Sequence, residues 1–198
     1  MNILLGVTGS VATTLTLKMV KALQQLGNVK IVTTEKARYF LKMHEIEDSE
    51  DGGWVPGPDY ELASLIHDDN DEWWKGGDQP VWTKKGDPVV HIDLRKWAGI
   101  FVVAPCTANT MAKFVNGISD NLLTSIYRAW DWTRPVVIAP SMNVSMWQNP
   151  PTAEHISLLK DRGAKIIMPQ SKMLACNDIG MGAMAEIEEI IHIVKNSF

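Results

Sequence analysis

The 198-residue sequence has only two cysteines, Cys106 and Cys176, too few for a disulfide scaffold and in keeping with a reducing compartment. It has no basic surplus: 19 Lys and Arg stand against 23 Asp and Glu, a formal net charge of −4. General nucleic-acid binding draws on a positive face, so nucleic acid is not an expected partner. No apolar run reaches the roughly 20 residues of a membrane-spanning helix. Residues 1–9 lack a basic segment and are cut by glycines, so they do not read as a signal peptide. A cytoplasmic location away from membranes is the expectation. No cysteine–histidine cluster has zinc-ligand spacing, and no metal is expected. Tyrosine (3) and phenylalanine (4) are scarce against 8 tryptophans, whose rings are expected mainly in the core or at an oligomer interface.

What is present is a regular alternation. With 45% hydrophobic and 21% charged residues, the chain suits one well-buried domain over residues 1–198. Short apolar runs at 3–7, 29–33, 100–104, 135–139 and 165–168 read as buried strands. Between them lie helical patterns. Leu15, Met19, Leu23 and Leu26 recur at helical spacing between an N-cap at Ser10 and a stop at Gly27. A short helix is expected at 36–43, another begun by the acidic cap and proline of Asp87-Pro88, and a long one over 109–130 with a break at Asn116-Gly117. Helices at 152–162 and 185–195 complete the series. Strands alternating with helices imply an α/β fold, a three-layer doubly wound parallel sheet. Ligands in such folds sit beyond the carboxyl ends of the strands.

The alternation fails at about 45–86, where Glu45, Glu47, Asp48, Glu50 and Asp51 precede Gly52-Gly53 and the turn-rich residues 54–58, and Asp68, Asp69, Asp71 and Glu72 follow. The expectation is a solvated, acidic surface excursion. Its carboxylates lack the ligand spacing of a calcium loop.

The strand-end loops carry the chemistry. Gly9-Ser10-Val11-Ala12 brings glycine, a hydroxyl and a helix N-terminus together, which suits an anion, although the glycine also fits a plain tight turn. It is neither a dinucleotide glycine pattern nor a P-loop. Thr34 and Lys36 follow the second strand, and Thr107-Ala108-Asn109-Thr110 follows the third. The latter offers hydroxyls and an amide, as an ordinary N-cap run also would. Pro140-Ser141-Met142-Asn143 and the glycine-rich loop around Cys176 come later.

Six stretches in order resemble the homo-oligomeric flavin-containing cysteine decarboxylases. They are Gly9 to Ala12, residues 87–98 with His91, Thr107 to Thr110, Ser119-Asp120-Asn121-Leu122-Leu123, Pro140 to Asn143, and the Cys176 loop with Gly182-Ala183-Met184-Ala185-Glu186. The resemblance implies a flavodoxin-like, Rossmann-like fold, FMN as cofactor, and a homotrimer with active sites at subunit interfaces. By position, Gly9, Ser10, Val11, Thr34, Thr107, Ala108, Asn109, Thr110 and Ala139 would contact FMN. His91 would be the catalytic base and Cys176 the acid, on a substrate flap at about 170–185. Asn143, Lys172 and Ala175 would bind substrate, with Asn143 on its carboxylate.

The implied reaction is decarboxylation of 4′-phosphopantothenoylcysteine to 4′-phosphopantetheine in coenzyme A biosynthesis. Loss of CO₂ from an ordinary carboxylate leaves an unstabilised carbanion. Prior oxidation of the aminothiol end to a thioaldehyde, with FMN taking the hydride, would supply the electron sink. Return of the electrons with a proton from Cys176 leaves no net redox change. His91, near the start of its helix, lies in a dipole field that disfavours imidazolium. His44, His67, His155 and His192 have no such context and read as surface or structural, and Cys106 has no assigned role.

Asn177 stands where relatives carry glycine after the cysteine, and two cationic positions also depart from the resemblance: Leu15 stands where relatives carry lysine, and Met173 where a basic residue is common. They motivate an alternative, the same chemistry on another cysteine such as a peptide C-terminus. The acidic excursion motivates a further alternative, a regulatory phosphatase-binding subunit.

Overall fold

The computed structural model describes residues 1–47, 62–75, 79–173 and 179–197. Strands β1 (Asn2–Val7), β2 (Asn28–Thr33), β3 (Ile66–His67), β6 (Ile100–Cys106), β7 (Val136–Pro140) and β8 (Lys165–Ile166) form one sheet in the order β3-β2-β1-β6-β7-β8. Every neighbouring pair is parallel. β1 lies between β2 and β6, with Ile3 opposite Val29 on one side and Ile100 on the other. The chain therefore winds outward in both directions from β1, which creates a topological switch point beside β6. Short antiparallel hairpins, β4 (Trp74–Lys75) with β5 (Gln79–Pro80) and β9 (Gln170–Met173) with β10 (Ile179–Ala183), stand outside this sheet.

The central strands read as unbroken apolar runs because both faces of the sheet are covered. Ile3, Leu5, Ile100 and Val102 face α1 (Thr16–Gln24) and α9 (Ile187–Lys195), where Met19, Leu23, Ile187 and Ile190 close the layer. Leu4, Phe101, Val103 and Ile138 face the opposite layer, made of α4 (Val90–Trp97), α5 (Ala108–Asn116), α6 (Leu122–Arg128) and α8 (Pro150–Asp161). Each such fully buried side chain contributes roughly 1.5–3 kcal/mol. Among the described residues no helix is long and apolar enough to cross a membrane.

Several expectations hold in detail. The break in the long helical stretch is real: α5 ends at Gly117, whose φ of +70° gives the left-handed cap, and α6 starts afresh at Leu122. Ser10 caps the following turn, with its side chain accepting from Ala12 N–H, although the first residues, Val11–Leu15, are a 3-10 turn before α1 begins.

Two expectations are corrected. Asp87 does not cap α4. Its carboxylate accepts from Thr83 N–H, Thr83 Oγ1 and Lys84 N–H at 2.8–3.0 Å, closing the preceding turn. The helix starts at Val90, and its N-cap residue Val89 has no side chain able to accept a hydrogen bond.

The excursion is not merely a solvated surface loop. Residues 48–61, with most of its first acidic run and its glycine–proline stretch, lie outside the described residues. The remainder supplies the edge strand β3 and a short helix, α3 (Asp69–Trp73), and buries Leu62 and Val81. Glu72 of α3 is buried too, with its side chain 6% exposed. Two carboxylates of α3, three residues apart and hence on one face, reach other helix starts. Asp69 Oδ1 accepts from Leu122 N–H of α6 at 2.6 Å, and Glu72 Oε2 accepts from His91 N–H of α4 at 2.9 Å. Each satisfies an N–H that helix geometry leaves without an intrahelical partner.

At its other end α4 is held by arginines. Arg134 Nη1 donates to the carbonyls of Arg95 and Ala98 at 2.7 and 2.5 Å, while Arg95 Nη1 donates to Ala129 O at 2.9 Å. The Arg134 guanidinium also lies 4.6 Å from the Trp130 ring centroid. Arg134→Met is expected to lose about 1–3 kcal/mol of stability by leaving these carbonyls unpaired. Urea unfolding should show a lower midpoint with an unchanged slope; an unchanged midpoint would contradict this role.

Candidate active site

Three strand-end loops are tied together by hydroxyls. Thr8 Oγ1 donates to Pro105 O at 2.8 Å and accepts from Thr107 N–H at 2.9 Å, joining the loop after β1 to the loop after β6. Thr13 Oγ1 donates to Thr8 O at 2.8 Å and accepts from Ser10 N–H, which folds the first loop back on itself. Ser10 Oγ and Ser141 Oγ are 2.8 Å apart, joining that loop to the one after β7.

Two glycines set close approaches. A Cβ on Gly9 would stand 2.5 Å from Lys36 Cβ, so the first loop packs directly on α2 (Glu35–Glu47). Gly182 has φ +147°, and its carbonyl accepts from Met142 N–H at 2.9 Å. That bond docks the β9–β10 hairpin onto the loop that carries Asn143.

These loops and the hairpin enclose a cavity of about 1110 Å³ at the carboxyl edge of the sheet. Ten of the residues singled out from the sequence line it: Gly9, Ser10, Val11, Thr34, Thr107, Ala108, Asn109, Thr110, Asn143 and Lys172. Ala139 does not. It is wholly buried in β7 beneath the site, within the core. His91 is not a lining residue either; it is the second residue of α4, with its side chain 26% exposed. Ala175 and Cys176 lie outside the described residues.

The chemistry of the lining is that of a site for an anionic, partly apolar ligand. At the start of α5, Thr107 Oγ1 accepts from Thr110 N–H and donates to or accepts from Thr110 Oγ1 at 3.1 Å. The N–H groups of Ala108 and Asn109 fall in the first turn, where the helix supplies no partner and an anion is favoured. Asn143 caps α7 (Val144–Gln148), its Oδ1 accepting from Ser145 N–H at 2.7 Å. The oxygen end of that amide is committed to the cap, so its Nδ2 end is the part suited to donate to a carboxylate. Met142, Met146 and Met184 add soft apolar surface.

Among the cations, Lys113 is held by Asp120 at 2.6 Å, and Lys172 lies 3.3 Å from Glu186. Lys36 lies 2.9 Å from Glu35, both side chains largely exposed, a pairing that contributes little. Leu15 and Met173, the two apolar departures, both face this cavity.

Sequence reasoning missed four contributors. Ser141 and Asp120 each stand in a motif already singled out. Asp69 also lines the cavity. Burial raises its carboxyl above the ordinary carboxylate range, although the Leu122 N–H pulls the other way. Glu72 is the fourth. Besides the His91 backbone, its carboxylate binds ring Nδ1 of His91.

The chain matches the Flavoprotein family over residues 1–198. It is 41% identical over 196 residues to phosphopantothenoylcysteine decarboxylase of Mus musculus, covering 98% of this chain and 85% of the mouse protein. The chain belongs to the Flavoprotein family. Among solved structures it is similar to a mutant PPC decarboxylase complexed with pantothenoylaminoethenethiol, at 38% identity and TM-score 0.83 over 98% of this chain and 96% of that one. It is also similar to the FMN binding protein AtHal3, at 39% identity and TM-score 0.79 over 98% and 95% of the two chains. The expected flavodoxin-like architecture holds throughout this likeness. β3, drawn from the excursion, completes the 3-2-1-4-5-6 order typical of dinucleotide-binding sheets.

Cys106 is fully buried at the end of β6, and burial pushes its thiol far above the ordinary range. It is therefore a packing residue, inert while the fold is intact. In a Cys176→Ser variant, the remaining thiol is expected to react with Ellman's reagent only after unfolding; prompt reaction of the native protein would contradict this placement.

Proposed function

We propose that this flavoprotein is an FMN-dependent phosphopantothenoylcysteine decarboxylase that converts 4′-phosphopantothenoylcysteine to 4′-phosphopantetheine in coenzyme A biosynthesis. One observation carries the reading. The cavity gathers Gly9, Ser10, Val11, Thr107 to Thr110, Asn143 and Lys172 from distant parts of a chain so similar to enzymes of that name.

The residues present fit the cofactor. A volume of about 1110 Å³ exceeds the ordinary range for a single small ligand, roughly 300–1,000 Å³, and leaves room for cofactor and substrate together. The lining pairs hydroxyls and helix-start N–H groups, suited to a phosphate, with methionines suited to an aromatic ring. Gly9 lets the first loop pack directly on Lys36, where a Cβ would clash.

Bound FMN supplies reversible two-electron chemistry at the cysteine end of the substrate. The protein binds and orients. Ser10, Val11, Thr34 and the Thr107 to Thr110 turn hold FMN. Asn143 donates from its amide to the substrate carboxylate. Lys172, with Ala175 three residues on in sequence, contacts the rest of the substrate, and Lys172 offers a cation for its phosphate where Leu15 and Met173 cannot. His91 takes the proton released by the substrate, and Cys176 returns a proton late in the cycle.

His91 is not among the residues that line the cavity within one protomer, which supports a homotrimer in which His91 of one subunit completes the site of the next. The two cysteines and the lack of a membrane-spanning helix among the described residues support a cytoplasmic enzyme.

The test is CO₂ release from 4′-phosphopantothenoylcysteine by FMN-loaded protein. Turnover is expected, and His91→Asn should abolish it while FMN stays bound. No turnover by the loaded wild-type protein would overturn the reading.

A further inference from the structure

The pairing of Glu72 with His91 has a chemical consequence. Glu72 lies on α3, in the acidic excursion, nineteen residues before His91. Its side chain is 6% exposed, and its two oxygens serve the same residue. Oε2 accepts from the His91 backbone N–H at 2.9 Å, and Oε1 contacts ring Nδ1. This occurs at the N-terminus of an eight-residue helix whose own N-cap residue, Val89, has no side-chain acceptor. Negative charge is stabilised at that position.

A carboxylate only accepts, so Nδ1 must carry the ring hydrogen. A neutral imidazole has one N–H, which leaves the lone pair on Nε2. Among the described residues Nε2 has no hydrogen-bond partner, and 26% of the His91 side chain reaches solvent. The double contact also removes rotational freedom: with the backbone N–H and Nδ1 held by one buried carboxylate, the ring is fixed relative to its own helix.

We propose that Glu72 is the positioning residue of His91, holding it in the Nδ1–H tautomer so that Nε2 is the basic nitrogen presented at the active site. When Nε2 takes the substrate's proton, the new positive charge faces the Glu72 carboxylate. The proposal rests on the reading of His91 as the base of the decarboxylase. It also gives part of the excursion a catalytic purpose. Glu72 itself is not among the residues that line the cavity.

The test uses FMN-loaded protein with ¹⁵N-labelled histidine. Long-range ¹H–¹⁵N correlation spectra assign the two ring nitrogens of His91, identified by the spectrum of His91→Asn. The neutral wild-type ring should be Nδ1-protonated; an Nε2–H ring would overturn the proposal whatever the variants do.

Glu72→Gln should keep the flavin absorption spectrum and near-wild-type KM. Its kcat should fall by roughly 10- to 100-fold, less than the roughly 10²–10⁴ a general base itself supplies because His91 remains, and the His91 resonances should lose the single-tautomer pattern. Glu72→Asp, too short to hold both contacts at once, should behave alike. A Glu72→Gln protein with wild-type tautomer and kcat would overturn the proposal, as would a kcat loss matched entirely by lost flavin. If Glu72→Gln does not fold, the wild-type spectrum and Glu72→Asp decide. Because the tautomer is read without substrate, absence of turnover in the wild-type protein is a separate result and counts against the enzyme assignment.

Discussion

Everything in this structure follows from the position of β1, buried between two parallel neighbours. Parallel pairing on both sides makes each strand end at the same edge of the sheet and forces each return through a helix on one face or the other. Loops that are far apart in sequence then meet at that edge, each followed by a helix whose first N–H groups lack partners. A site for an anionic ligand is a consequence of the topology. The sequence has only to supply small residues where backbones approach, as at Gly9, and hydroxyls that tie the loops together, as at Thr8, Ser10 and Ser141.

The excursion shows the same logic away from the sheet edge. A helix start needs an acceptor, and α4 and α6 take theirs partly from α3, through Glu72 and Asp69. Burying carboxylates is costly unless they are hydrogen-bonded. Here the N–H groups of two helices meet that need, and in return a segment of irregular, acidic sequence is anchored against the domain. Electrostatics thus joins the segment most unlike the rest of the fold to the residue proposed as its catalytic base.

Much of the fold was legible because its signals are local. Runs such as 3–7 and 100–104, the period of Leu15, Met19 and Leu23, and the break at Asn116-Gly117 each depend on near neighbours in sequence. The site was legible through ordered motifs at strand ends, and ten of the residues drawn from them line one cavity. What escaped depends on tertiary contact. Asp87-Pro88 has the local form of a helix cap, yet the nearer turn at Thr83 and Lys84 takes the carboxylate. Glu72 sits among several acidic residues, and only the packing of α3 distinguishes it from the exposed ones. Strand β3, two residues long, leaves too little pattern to read. The absence of His91 from the residues that line the cavity is likewise invisible in a motif, because a motif gives residue order and not tertiary packing.

The central claim is that the strand-end cavity is built for a flavin. The most direct measurement is the visible absorption spectrum of the purified protein, before and after saturation with FMN and removal of unbound cofactor. The account predicts yellow protein with flavin bands, retaining FMN in proportion to chain. Protein that remains colourless after saturation would contradict it.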